Sequence, residues 1–325
     1  MEDREDEDVF RVLCPVLPIP QGGSPERNAE VLGEAPADAA VFQAEITEVP
    51  ALRTLLEGCD TVVHLAGPPS VAASFLEPAA CVRAHAVGTA AICEALPRQV
   101  RRFVYVSSAE VYGLRNRSPV SEIAPCAPVS PYGAAKLAAE VLVGALGSRR
   151  SLEVVILRPF SVYGPGGRTD SALKTAVEQA RNSEVVRLYA PDVVRDYCHV
   201  QDVVSAIVKA VSMELSVGTH VYNVGSGIGV SVGDVARLAL ALVGRSVPVE
   251  AAAGEDRPRS ADVNELFADR RLIASELGWI PVVTLEAGLC GLLGISPGSD
   301  ATSSRAAVRP DGDDRSTGRW SPPKS

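Results

Sequence analysis

Residues 102–113, RFVYVSSAEVYG, and residues 130–136, SPYGAAK, decide how this chain reads. The first begins as an apolar run and breaks into small residues at Ser107 and Ser108. It is apolar nearly throughout rather than alternating, the pattern of a strand covered on both faces. Tyr132 follows Ser108 by 24 positions, and Lys136 follows Tyr132 by four. Four residues make about one helical turn, so Tyr132 and Lys136 share a helix face. An ammonium beside a phenol favours the phenolate and lowers its pKa. A phenol tuned in that way can take a proton from a substrate hydroxyl, with Ser108 steering it. Taken alone, Tyr-x-x-x-Lys describes a surface tyrosine and a solvated lysine equally well. The serine-bearing strand and the segments downstream separate the two readings.

Around this pair, short β-rich runs alternate with Ala- and Leu-rich stretches. Strands are expected at 40–44, 61–65, 102–107, 153–157, 185–188 and 221–224, and helices near 50–58, 77–96, 132–146, 171–182, 201–213 and 232–243. The alternation predicts an α/β fold, a Rossmann-like doubly wound parallel sheet. From about Gly218 the pattern loosens. Residues 1–217 are expected to form the dinucleotide-binding domain, with part of 157–217 lining the substrate site. Residues 218–296 are expected to form a small C-terminal substrate lobe. Residues 297–325, rich in Ser, Asp, Arg, Gly and Pro, read as a disordered tail.

Composition closes off several functions. The net charge of −9, with no basic stripe, argues against nucleic-acid binding. No apolar run reaches the length of a membrane span, and the acidic MEDREDED start has the wrong sign for a signal peptide. Seven scattered cysteines without a C-x-x-C pair, and four dispersed histidines, make a metal site improbable. Reduced thiols in a cytoplasmic protein are the simplest reading.

The order and spacing of GCDTVVHLAG (58–67), HAVGT (85–89), RFVYVSSAEVYG, SPYGAAK, LRPFSVYGPGG (157–167), RDYCHVQDV (195–203) and YNVGSG (222–227) carry a resemblance. The chain is similar to the extended short-chain dehydrogenases/reductases of the NAD-dependent sugar epimerase/dehydratase family, over about Val41 to Leu293. The resemblance implies an NAD cofactor, a nucleotide-sugar substrate, and a homodimer. It implies 4-epimerisation of a UDP- or dTDP-sugar through a 4-keto intermediate. Ser108, Tyr132 and Lys136 align with the catalytic residues. Glu110 aligns with a glutamate that removes a C5 proton in the dehydratase and decarboxylase branches. Glu45, Ile46, Leu65, Ala66, Gly67, His85, Ser107 and Pro159, with Tyr132 and Lys136, fall at cofactor-binding positions. Small residues at Ala66 and Gly67 would let a dinucleotide backbone approach closely. His85 stands where the family usually has asparagine. Ser108, Ser161 and Arg195 fall at substrate positions, the Arg195 fork suiting a diphosphate. Asp196 and Asp202 are expected to brace their loop and cap the next helix.

The family's opening unit, a strand, a G-x-x-G-x-x-G loop and a helix that receives the pyrophosphate, has no counterpart in these 325 residues. Residues 9–13 match the family's second strand instead. Gly225 to Gly229 fails the dinucleotide spacing, because Val230 stands where the last glycine would be, and it reads as a turn. Two outcomes are consistent with this. One is an enzyme whose cofactor-binding part is completed by sequence upstream. The other is a nucleotide-sugar-binding protein that keeps the fold without turnover.

Overall fold

The computed structural model describes residues 10–15, 39–113, 117–167, 171–252 and 264–296. The expected disordered tail and the acidic start lie outside these residues. Four parallel strands form the main sheet: β3 (Thr61–His64), β4 (Arg102–Val106), β5 (Glu153–Pro159) and β9 (Gly218–Val224), in the order β3–β4–β5–β9. A separate parallel pair joins β1 (Phe10–Pro15) to β2 (Ala39–Ala44). Neither strand of that pair bonds to β3, whose second edge carries no strand among the described residues.

Side chains alternate across the main sheet, so each strand feeds two cores. Val62, Phe103, Tyr105, Val154 and Ile156 face α1 (Val49–Leu56), α4 (Gly88–Ala95) and α5 (Pro131–Arg150). Val104, Val155, Leu157, Tyr222 and Val224 face α7 (Val200–Ser212) and α9 (Arg271–Leu277), with Trp279 beyond its end. The Trp279 indole N–H is satisfied by the Ser205 hydroxyl at 2.8 Å. Coverage on both faces is why β4 and β5 are buried almost throughout.

The 77–96 stretch, expected as one helix, is divided. α2 (Val71–Leu76) ends before Pro78, α3 (Pro78–Val82) starts on that proline, and a π turn (Arg83–Val87) leads into α4. Proline lacks the N–H that would continue the α2 ladder. The π turn inserts one residue and re-aims the side chains on it.

The lobe boundary expected at 218 also moves. β9 begins there, but it hydrogen-bonds along the whole of β5 and is an edge strand of the main sheet. The second lobe draws on earlier segments. β8 (Val194–His199) pairs with β6 (Ser161–Tyr163) and β12 (Glu265–Leu266) in parallel and with β10 (Gly229–Ser231) antiparallel. β7 (Val186–Leu188) pairs with β11 (Val249–Ala251). These pack with α6 (Ala172–Asn182), α8 (Val232–Leu242) and α10 (Leu285–Leu293) around their own core.

Candidate active site

The carboxyl edge of a parallel sheet is where open α/β folds bind ligands. Here β3 ends before Leu65–Gly67, β4 before Ser107–Ser108, and β5 at Pro159. The site residues expected from β3, β4 and β5 therefore reach the same edge.

Helix α5 brings Tyr132 and Lys136 to it. Ser130 caps the helix by accepting the Gly133 N–H at 3.1 Å, and Pro131 takes the first turn. Gly133 lets the helix press against the Ser108 turn. A Cβ there would sit 2.6 Å from the Glu110 carbonyl oxygen. Tyr132 is held further by its own N–H, which donates to Ser74 Oγ at 3.2 Å.

Lys136 is 4% exposed. Its Nζ donates to the Val106 carbonyl at 2.8 Å and lies 5.1 Å from the Tyr105 ring centre and 6.0 Å from that of Tyr132. Burial pulls the ammonium down to about 8, opposed by the negative charge of Glu140. A lysine carries three donors, so its one bond to Val106 leaves capacity for a ligand. Ser107 is 3% exposed, and its hydroxyl finds no protein partner. Ser108 Oγ accepts the Glu110 N–H at 3.2 Å within a short turn. Glu110 is half-buried.

Two histidines line the back of the site. His85, on the π turn, meets Tyr132 edge to face with centroids 5.2 Å apart. Burial and then the Lys136 charge lower its pKa to about 4. His64, at the end of β3, pairs with Thr89 Oγ1 at 2.9 Å. Burial, Lys136 and His85 lower it to about 3. Both imidazoles are neutral near pH 7.

Other expected residues stand apart. Ile46 is buried in the core with α1 and α4, so only its backbone could meet a ligand. Glu45 is half-buried and accepts the Thr47 hydroxyl at 3.3 Å. Ser161 and Arg195 lie on the small sheet, Ser161 opposite Tyr197 and Arg195 opposite Val230. Arg195 Nη1 donates to the Val194 carbonyl at 2.9 Å. Asp196 braces the Gly225–Gly229 turn, accepting the N–H groups of Ser226, Gly227 and Ala268 and the Ser226 hydroxyl. Asp202 does not cap its helix as expected. His199 occupies the cap position, and Asp202 instead holds the N–H groups of Val282 and Val283.

Behind the site, Arg158 and Glu140 form a buried two-point ion pair at 2.6 and 3.0 Å. Arg158 also donates to the Tyr112 hydroxyl, which donates to Asn223 at 2.7 Å. This network ties α5 to β5 and β9. The sequence carried no signal for Ser74, Tyr105 or the Glu140–Arg158 pair, because the partners are distant in the chain. His64 lies within the quoted HLAG segment, where its helix partner was not legible.

The family model for the NAD dependent epimerase/dehydratase family matches residues 21–225. The chain belongs to that family. It is 32% identical to a UDP-glucose 4-epimerase of Azospirillum brasilense over 68% of each chain. It is 32% identical to a dTDP-glucose 4,6-dehydratase of Streptomyces griseus over 82% of this chain and 80% of that one. Among solved structures it is similar to MoeE5 in complex with UDP-glucuronic acid and NAD. That match has a TM-score of 0.71 and 32% identity, covering 80% of this chain and 87% of that one.

The described residues fit the nicotinamide half of such a cofactor. The unpartnered Ser107 hydroxyl, the spare donors of Lys136 and the small residues Ala66 and Gly67 converge on one edge. Among the described residues, no glycine-rich turn stands beside β3 to receive a pyrophosphate. No His, Cys, Asp or Glu cluster among them could hold a metal ion, and no helix among them is long and apolar enough to cross a membrane.

Proposed function

We propose that the chain epimerises a nucleotide sugar at C4 through a 4-keto intermediate, with a UDP- or dTDP-sugar as substrate. The observation that carries this reading is Lys136, buried with its Nζ anchored on Val106 and placed against the rings of Tyr105 and Tyr132. When bound, NAD+ accepts and returns the C4 hydride. Tyr132 takes the C4 hydroxyl proton and later gives it back. Lys136 favours the phenolate and donates to the ribose. Ser108 hydrogen-bonds the reacting oxygen. Arg195 pairs with the diphosphate, and Ser161 donates beside it. Ser107, Ala66, Gly67 and Pro159 shape the cofactor edge, with Leu65 and Glu45 flanking it. The exposed Val82, Val87 and Val141, on helical segments that pack together, support a homodimer.

Incubation with NAD+ and either UDP-glucose or UDP-galactose, followed by chromatography, tests the proposal. Interconversion is the expected outcome, and its absence with a panel of UDP- and dTDP-hexoses would remove it. A 4,6-dehydratase is the second reading, favoured by Glu110 two residues beyond Ser108 and by the Streptomyces griseus relative. A product lighter by one water, lost in Glu110→Gln, would select it.

A further inference from the structure

His85 is 1% exposed, and the π turn that carries it aims the ring between the 65–68 loop and α5. Nε2 lies 3.1 Å from the Pro68 carbonyl oxygen. A carbonyl only accepts, so Nε2 holds the proton and Nδ1 is a bare acceptor. Nδ1 has no protein donor. Gly67 lies flat against the ring. Its φ is +120°, and a Cβ on it would fall 2.3 Å from Cε1 and 2.4 Å from Nδ1. The ring also presses on Tyr132, edge to face at 84°. One imidazole therefore touches both the loop expected to meet the cofactor and the phenol expected to move the proton. The Thr89 hydroxyl donates to the His85 backbone carbonyl, and His64 pairs with Thr89 in turn, so the π turn is tied to β3 as well. π turns inside α-helices concentrate at functional sites.

We propose that His85 is a positioning residue that couples the 65–68 loop to the Tyr132 phenol, so that a ligand settling on the loop changes the ionisation of that phenol. The coupling deepens the proposed function, since it rests on Tyr132 as the acid/base. The imidazole acts as a rigid spacer: its Nε2–H fixes it to Pro68, and its edge sets the place of the phenol ring. The neutral state noted above suits this role, because a second N–H would point at Gly67 with nothing to receive it.

The test reads Tyr132 directly. Ultraviolet difference absorbance of the phenolate, wild type minus Tyr132→Phe, gives its titration midpoint without any turnover. Two variants act on opposite ends of the spacer. Gly67→Ala pushes the ring from the loop side, and His85→Phe keeps a ring but has no N–H for Pro68. Each is expected to move the Tyr132 midpoint by about half a unit or more, with circular dichroism melts showing that each is folded. In wild type, saturation with NAD+ is expected to move the midpoint too, and His85→Phe to lose that response while calorimetry still detects NAD+ uptake. Unmoved midpoints in folded variants would overturn the coupling. If neither variant folds, His85→Gln, which retains a donor for Pro68 without the ring, decides: a moved midpoint supports the coupling and an unmoved one overturns it. Absence of NAD+ uptake by wild type would defeat the proposed activity instead, and the Gly67→Ala midpoint would still report on the spacer.

Discussion

β5 and β3 flank the same strand, β4, yet they sit in different surroundings. β5 is paired on both edges and buried along six consecutive residues, Val154 to Pro159. Among the described residues β3 is paired on one edge only, and its burial alternates, with Thr61 and Val63 half-exposed and Leu65, just past its end, 55% exposed. Both carry a Val-Val pair, so propensity does not separate them; among the described residues, a second paired edge does. The comparison has a functional side. Ser108, Tyr132 and Lys136 are mounted on β4 and α5, within the well-packed half. Leu65, Ala66 and Gly67, the expected cofactor side, extend from the half-covered strand. The residues proposed for the chemistry thus rest on a firmer base than the expected cofactor loop beside them.

The largest expected effect lies on the firm side. Tyr132→Phe should lower kcat by about 10²–10⁴-fold, the usual span for a lost acid/base, while its melting temperature stays near that of wild type. Retained turnover would move the acid/base elsewhere. Breaking the ion pair beneath α5 by Glu140→Gln leaves Arg158 buried without its partner. Denaturant unfolding should show a loss of about 3–5 kcal/mol. Equal treatment of the two flanking strands sharpens the contrast. Leu157→Ala, on β5, should cost about 2–5 kcal/mol, and Val63→Ala, on β3, about 1 kcal/mol or less. Similar losses at both sites would mean that β3 is covered in solution. Native-state hydrogen exchange should agree, with β3 amides exchanging before those of β4.

The smallest effect is one of pH. His85 and His64 are held below 6.5, to about 4 and about 3, chiefly by burial. The unfolded chain binds protons on them first as pH falls below 6.5, so this contribution to stability is complete above 6.5. It declines as pH falls toward 4 and then 3. His85→Phe should flatten the upper part of that decline in a melting series from pH 7 to 4. Lys136 acts in the same sense at the alkaline end. Its folded value of about 8 lies below the usual 10.5, so stability rises as pH increases from about 8 to 10.5. Lys136→Met should remove that rise.

Much of this was legible in the chain. Buried parallel strands announce themselves as apolar runs, and Tyr132 and Lys136 meet because helical spacing requires it. What the sequence concealed depends on partners far apart in the chain. β8 was missed because RDYCH is mixed in polarity, and its buried Asp196 is satisfied by donors from residues 226, 227 and 268. The π turn was hidden inside a stretch with good helical composition.

Local chemistry alone therefore determined the α/β class and the family, and it pointed to the trio proposed for catalysis, because periodicity and motif order are properties of short segments. Only the tertiary structure decided that β9 belongs to the main sheet, that Glu140 neutralises Arg158, and that the His85 ring stands between Gly67 and Tyr132. Each of those depends on which surfaces are brought together and dried, and burial is a property of the folded whole.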